Sequence, residues 1–106
     1  MTYNINMELK DVIQRIGYFR NEKNMSARDL SFSIDKAENY INRLESSHFN
    51  VPTSVLLEII EILEVSPEQF FASNYRTYKM DGELYNLIKN LPLEKKKILI
   101  DLIKHM

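Results

Sequence analysis

The stretch IDKAENYINRLESSHFN, Ile34 to Asn50, decides how the chain is read. Within it Ile41 and Leu44 stand three apart, the spacing of one helix face, and Glu38, Asn39, Asn42 and Arg43 fall away from that face. The pattern predicts a short amphipathic helix over about residues 37–46, its outward side rich in groups that donate and accept hydrogen bonds. Asp35 and Glu38 have the spacing of a capping box at its start. Taken alone, the same polar side chains would suit an ordinary solvated face.

Helical periodicity extends in both directions. Leu9, Val12, Ile13, Ile16 and Phe19 predict a first helix over about residues 7–22, with Asn6 as its cap and Asn24 as its stop. Ser26 and Asp29 have capping-box spacing at the head of a short second helix through Leu30 and Ile34. Beyond the quoted stretch, Pro52-Thr53-Ser54 opens a fourth helix carrying Val55, Leu56, Ile59, Ile60 and Leu63. Ser66-Pro67-Glu68, a cap followed by an N1 proline, opens a fifth that ends near Ala72. Residues 73–82 are read as a linker. Two further helices follow, over about 82–90 and 93–105, with Pro92 between them, and they predict an antiparallel helical hairpin. The fold class is therefore all-α: a five-helix domain over residues 1–75 and a C-terminal hairpin over residues 76–106.

Composition narrows the function. The chain has 106 residues, 44% apolar and 27% charged, which fits a folded globular protein. It has no cysteine, which excludes disulfides and thiolate metal sites, and only two histidines. With no glycine-rich phosphate loop and no Ser/His/Asp pattern, the sequence predicts neither an enzyme nor a cofactor or metal. Glu58, Glu61 and Glu64 read as a solvated acidic stripe, not as ligands. No apolar run nears the roughly 18 residues that span a bilayer, and the opening MTYNINMELKD lacks the shape of a signal peptide. A cytoplasmic protein that does not engage membranes is expected. Charge is uneven: residues 1–75 hold 7 Lys/Arg and 11 Asp/Glu, a net of −4, whereas residues 76–106 hold 7 and 4, a net of +3.

Five helices with a tight turn between the second and third form a helix-turn-helix arrangement. Residues 9–71 resemble the phage-repressor/Cro (Xre) family of DNA-binding domains: MSARDLSFSI its second helix, YINRLESS its third, and VPTSVLLEIIEILEVSPEQFF its fourth and fifth. The resemblance implies a lambda-repressor-like domain that binds double-stranded DNA as a transcriptional regulator, a repressor acting as a dimer on a palindromic operator. It places base contacts on Glu38, Asn39, Asn42 and Arg43, and phosphate contacts on Arg28, Lys36, Ser46 and His48. It also implies a structural ion pair between Arg20 and Glu45. Chemistry agrees with the base contacts, since arginine suits guanine, asparagine suits adenine, and a carboxylate can accept from the cytosine amine. The chain departs from the family where glycines are usual, with Asp35, Ser47 and Glu64 standing in those places, and where a second-helix glutamine is usual, which here is Ala27.

The hairpin is too small to be stable alone and must bury its apolar stripe. Leu87, Leu91, Ile98, Leu99, Leu102 and Ile103 are expected to form a homodimer interface; packing on the chain's own first domain is the other solution. Phe32 and Phe49 are candidate interface aromatics. The competing functional reading is a protein-interaction module on the same fold, such as an antitoxin or regulator-binding protein with weak or no DNA binding, and the acidic first domain favours it.

Overall fold

Seven helices order the described residues, 7–106, of the computed structural model, with no strand among them. The chain divides into two units, the first ending at Tyr75 and the second beginning at Arg76. The first unit contains α1 (Leu9–Glu22), α2 (Ala27–Ser33), α3 (Tyr40–Ser47), α4 (Thr53–Ile62) and α5 (Pro67–Phe71). Their starts have local causes. At α1 the Asp11 carboxylate accepts the Glu8 N–H at 2.8 Å, making Glu8 the cap; Asn6 lies outside the described residues. Ser26 Oγ accepts the Asp29 N–H at 3.0 Å ahead of α2. Ser66 Oγ accepts the Gln69 N–H at 3.1 Å ahead of α5, with Pro67 in the first turn.

Four loops turn through left-handed residues that are not glycine: Asn24, Asp35, His48 and Glu64, with φ between 52° and 56°. After the third helix the sequence reading put this position at Ser47. In the structure Ser47 is the last helical residue, and His48 takes the left-handed conformation while its N–H bonds to the Leu44 carbonyl at 3.0 Å. Asn and Asp tolerate this conformation because their short side chains can hydrogen-bond locally.

The core takes residues from all five helices. Ile16, Leu30, Ile41, Leu44, Ile59 and Phe70 are fully buried. Phe19 stacks on Phe70 at 5.8 Å between ring centroids. Tyr75 closes this end of the core edge-on to Tyr18 at 5.3 Å; the boundary between the units falls just after it, inside the expected linker of residues 73–82, whose first half is non-helical but anchored by this ring. The buried Arg15 reaches the same place: its guanidinium lies 4.4 Å from the Tyr75 ring centre and donates to the Ala72 carbonyl at 3.1 Å.

The second unit contains α6 (Tyr78–Ile88) and α7 (Leu93–Lys104). The second half of the expected linker is helical instead, because α6 starts four residues before Gly82. The Asp81 N–H bonds to the Thr77 carbonyl at 2.8 Å, and Thr77 Oγ1 donates to the Asp81 carboxylate at 2.8 Å, closing a first turn ahead of the glycine. Gly82 has ordinary negative φ, and a Cβ there would meet nothing within 4 Å. It is a weak helix residue carried by its neighbours, not a break. Leu91 and Pro92 make the turn into α7. No residue of this unit is buried, and Leu87, Ile98, Leu102 and Ile103 are exposed, with Leu91 and Leu99 half-buried. Among the described residues no helix is long and apolar enough to cross a membrane.

Candidate nucleic-acid interface

The α2–turn–α3 segment is held by one buried hydroxyl. Ser31, fully buried, donates to the Ala27 carbonyl at 2.8 Å within α2 and accepts the Ile41 N–H at 3.0 Å from the first turn of α3. It thereby satisfies one of the N–H groups that a helix start leaves unpaired. The turn itself is closed by the Lys36 N–H on the Ser31 carbonyl at 2.9 Å. Nothing in a polar-apolar pattern marks Ser31 as a core residue, and the sequence reading missed it.

A second constraint comes from α1. Arg20 Nε and Nη2 donate to the two Glu45 oxygens at 2.9 and 2.8 Å, and Nη1 donates to the Met25 carbonyl at 3.0 Å. Both side chains are largely buried, at 16% and 22% exposed. The guanidinium fork thus ties α3 to α1 and to the loop before α2, with the bidentate geometry that makes such pairs strong. Gly17 makes room for it: a Cβ at that position would lie 3.3 Å from the Glu45 Oε1. This close approach is a second role the sequence reading missed, because a glycine inside a good helical pattern reads only as a mild defect.

With Ile41 and Leu44 inward and Glu45 pinned, α3 turns Asn42, Arg43 and Ser46 to solvent. The helix starts later than expected. Residues 37–39 form a turn, with the Tyr40 N–H on the Ala37 carbonyl at 3.0 Å, and Asn39 is the cap residue, without a side-chain cap bond. The proposed Asp35/Glu38 capping box therefore does not exist. Glu38 and Asn39 precede α3, and the Glu38 carboxylate stands 3.6 Å from the Arg28 guanidinium instead.

Cations on this face rest on aromatic rings. Arg28 lies 5.4 Å from the Phe32 ring centre, Lys36 5.4 Å from Tyr40 and Arg43 5.8 Å from Phe49. Phe32 and Phe49 are thus platforms that bias where long flexible side chains stand. Tyr40 packs edge-on to Phe49 at 5.4 Å, and partial burial raises its pKa above the ordinary phenol value. Ser46 donates its hydroxyl to the Asn42 carbonyl at 2.9 Å, so it offers an approaching phosphate no donor without rotating away. His48 is exposed and borders a cleft shared with Lys10, Gln14, Gly17 and Glu45. Among the described residues no group of three or more His, Asp or Glu side chains could hold a metal ion.

The helix-turn-helix family profile matches residues 16–70. Among solved structures, the chain is 33% identical to the wild-type restriction-modification controller protein C.Esp1396I, covering 59% of this chain and 83% of that one with a TM-score of 0.55. A chain of the SinR protein/SinI protein complex is 20% identical over 88% of this chain and 94% of its own, with a TM-score of 0.51, a likeness of fold alone. No curated protein matches. A profile that spans α2, α3 and α4 and half of the whole sequence, laid over this bracing of α3, places the chain in the helix-turn-helix family of Xre-type, DNA-binding transcriptional regulators.

Proposed function

We propose that the protein is a sequence-specific repressor that enters the major groove of double-stranded DNA with the outward side of α3, as a homodimer on a palindromic operator. The observation that carries this reading is the bracing of α3: buried Ile41 and Leu44 and the Arg20–Glu45 fork fix one side, and Asn42 and Arg43 are exposed on the other. Asn39, Asn42, Arg43 and Glu38 are the base-reading candidates, with guanine the natural partner of Arg43 and adenine that of the asparagines. Lys36 and Arg28 are the phosphate anchors, with Ser46 and His48 at the margin.

The net charge of −4 on the first 75 residues does not oppose this, because DNA affinity depends on the charges within about 8–10 Å of phosphate. Glu58 and Glu61 belong to α4, not to the α2–α3 face. Residues 76–106 supply the dimer contact in this reading. Their exposed Leu87, Ile98, Leu102 and Ile103 need a cover, which a second copy of the same unit would supply. Repression would follow from occupying the operator of a cytoplasmic genome and excluding polymerase from it.

A second reading is favoured by the same uncovered leucines and isoleucines: a helix-turn-helix module whose partner is another protein. A two-protein complex among the structures of similar fold is consistent with it. Selection from a random duplex library separates the readings. Recovery of a palindromic motif, with affinity falling steeply with salt in proportion to the phosphates contacted, supports the repressor. Failure to enrich any sequence overturns it.

A further inference from the structure

The acidic side chain of Glu38 stands in the turn before α3, and its partner Arg28 is one of the phosphate anchors proposed above. Glu38 Oε2 lies 3.6 Å from Arg28 Nη2, and both side chains are about two-thirds exposed, 64% and 66%. Glu38 is in the turn before α3, Arg28 in the first turn of α2, and the Phe32 ring lies 5.4 Å beneath the guanidinium. Glu38 is not needed to cap α3, whose cap position belongs to Asn39.

We propose, building on the DNA-binding reading above, that Arg28 and Glu38 form a latch that sets specificity by penalising wrong sequences. In the free protein the two charges satisfy each other. When a duplex arrives, a phosphate competes for Arg28. If Arg28 leaves, Glu38 is an unpaired carboxylate against a polyanion. Among base edges in the major groove, the amine of cytosine N4 suits a carboxylate, and that of adenine N6 stands beside the N7 acceptor, which repels it. A site presenting cytosine to Glu38 therefore lets both side chains exchange partners at once: Arg28 to phosphate, Glu38 to the amine. On other sequences either Arg28 stays latched and a phosphate contact is lost, or Glu38 is stranded. Discrimination thus arises largely from repulsion at non-cognate sites, at the expense of overall affinity. Lys36 and Arg43 on the same face supply attraction that does not depend on the latch.

The test is a double-mutant cycle on the full-length protein with two duplexes: the motif recovered by selection, and random sequence of the same length. Kd is measured for wild type, Glu38→Ala, Arg28→Ala and the double variant at one low salt concentration. Glu38→Ala is expected to tighten random DNA by about tenfold when Arg28 is present, because it both removes repulsion and frees Arg28, and by about threefold or less in the Arg28→Ala background. On the selected motif the same substitution should leave affinity unchanged or weaken it. Equal tightening of random DNA in both backgrounds means Glu38 acts by bare repulsion, and the latch is overturned while the DNA-binding reading stands. A wild-type protein with no sequence preference overturns the DNA-binding reading itself. Circular dichroism melts should be unchanged throughout, since an exposed pair of this kind contributes little to folding.

Discussion

Helices α4 and α7 are built from much the same material, TSVLLEIIEI in one and LEKKKILIDLIK in the other, yet α4 buries Val55, Ile59 and Ile60 while α7 buries nothing. The first meets Ile16, Leu30, Leu44 and Phe70 inside one unit; the second presents Ile98, Ile100, Leu102 and Ile103 to solvent. An amphipathic stripe states that a helix must be covered and says nothing of what covers it. In the first unit the cover is the neighbouring chain segment. In the second, a partner molecule is the cover we propose.

The sharpest way to break this contrast is to change one apolar residue in each helix. Ile59→Ala should destabilise the protein by about 2–5 kcal/mol in urea unfolding, since Ile59 is fully buried and the cavity cannot collapse. Leu102→Asp should leave the unfolding of the first unit within about 0.5 kcal/mol and convert the assembly to monomer in analytical ultracentrifugation. If Leu102→Asp leaves the oligomer intact, the second unit is not the dimer contact.

Next in size is the brace on α3. Arg20→Ala leaves the Glu45 carboxylate and the Met25 carbonyl without their donors and should cost about 1.5–3 kcal/mol. Operator affinity should fall beyond what the unfolded fraction explains, because the reading side of α3 is no longer fixed. Arg43→Ala is the complementary probe, expected to spare stability and reduce discrimination between operator and random DNA by about 1–3 kcal/mol. Equal losses on both duplexes would remove Arg43 from base reading.

How much of this was legible follows from what each feature needs. Helix starts were local: Ser26 and Ser66 act on N–H groups three residues away. The Arg20–Glu45 bond joins positions 25 apart, a separation that periodicity cannot reach, and it entered the reading only through resemblance to a family. Ser31 and Gly17 were silent because their work is a tertiary close approach. Gly82 misled in the other direction, since a glycine whose helical neighbours close the turn around it looks like a break in one dimension. The start of α3 was placed three residues early because Asp35 and Glu38 have capping spacing, while the chain spends residues 37–39 on an extra turn.

A smaller effect tests the left-handed loops. His48→Gly should stabilise the first unit by about 1 kcal/mol, by relieving the side chain's conflict with φ of 52°. If DNA affinity is unchanged in the same variant, His48 is no phosphate anchor. Loss of stability instead would show that the imidazole packs against the α1–α3 cleft it borders.

The smallest expected effect lies at the left-handed corner of Glu64. Lys23 Nζ donates to the Ile62 carbonyl at 2.8 Å and pairs with the Glu64 carboxylate at 2.8 Å, tying the C-terminal end of α1 to that of α4. The hydrogen bond from Lys23, and then its charge, hold the Glu64 carboxyl below the usual glutamate range. A depressed folded-state pKa means that this contribution is complete above the ordinary glutamate range and is lost as pH falls through the depressed value. Both partners keep contact with water, so the effect is small. Lys23→Met should therefore lower the urea midpoint slightly at neutral pH, and the gap from wild type should narrow on acidification as Glu64 is neutralised in both proteins. The Ile62 carbonyl bond is lost at every pH, so a residual offset should persist in acid. A gap of constant size across the acid limb would assign the whole effect to the bond between the Lys23 ammonium and that carbonyl, and none of it to the Glu64 pair.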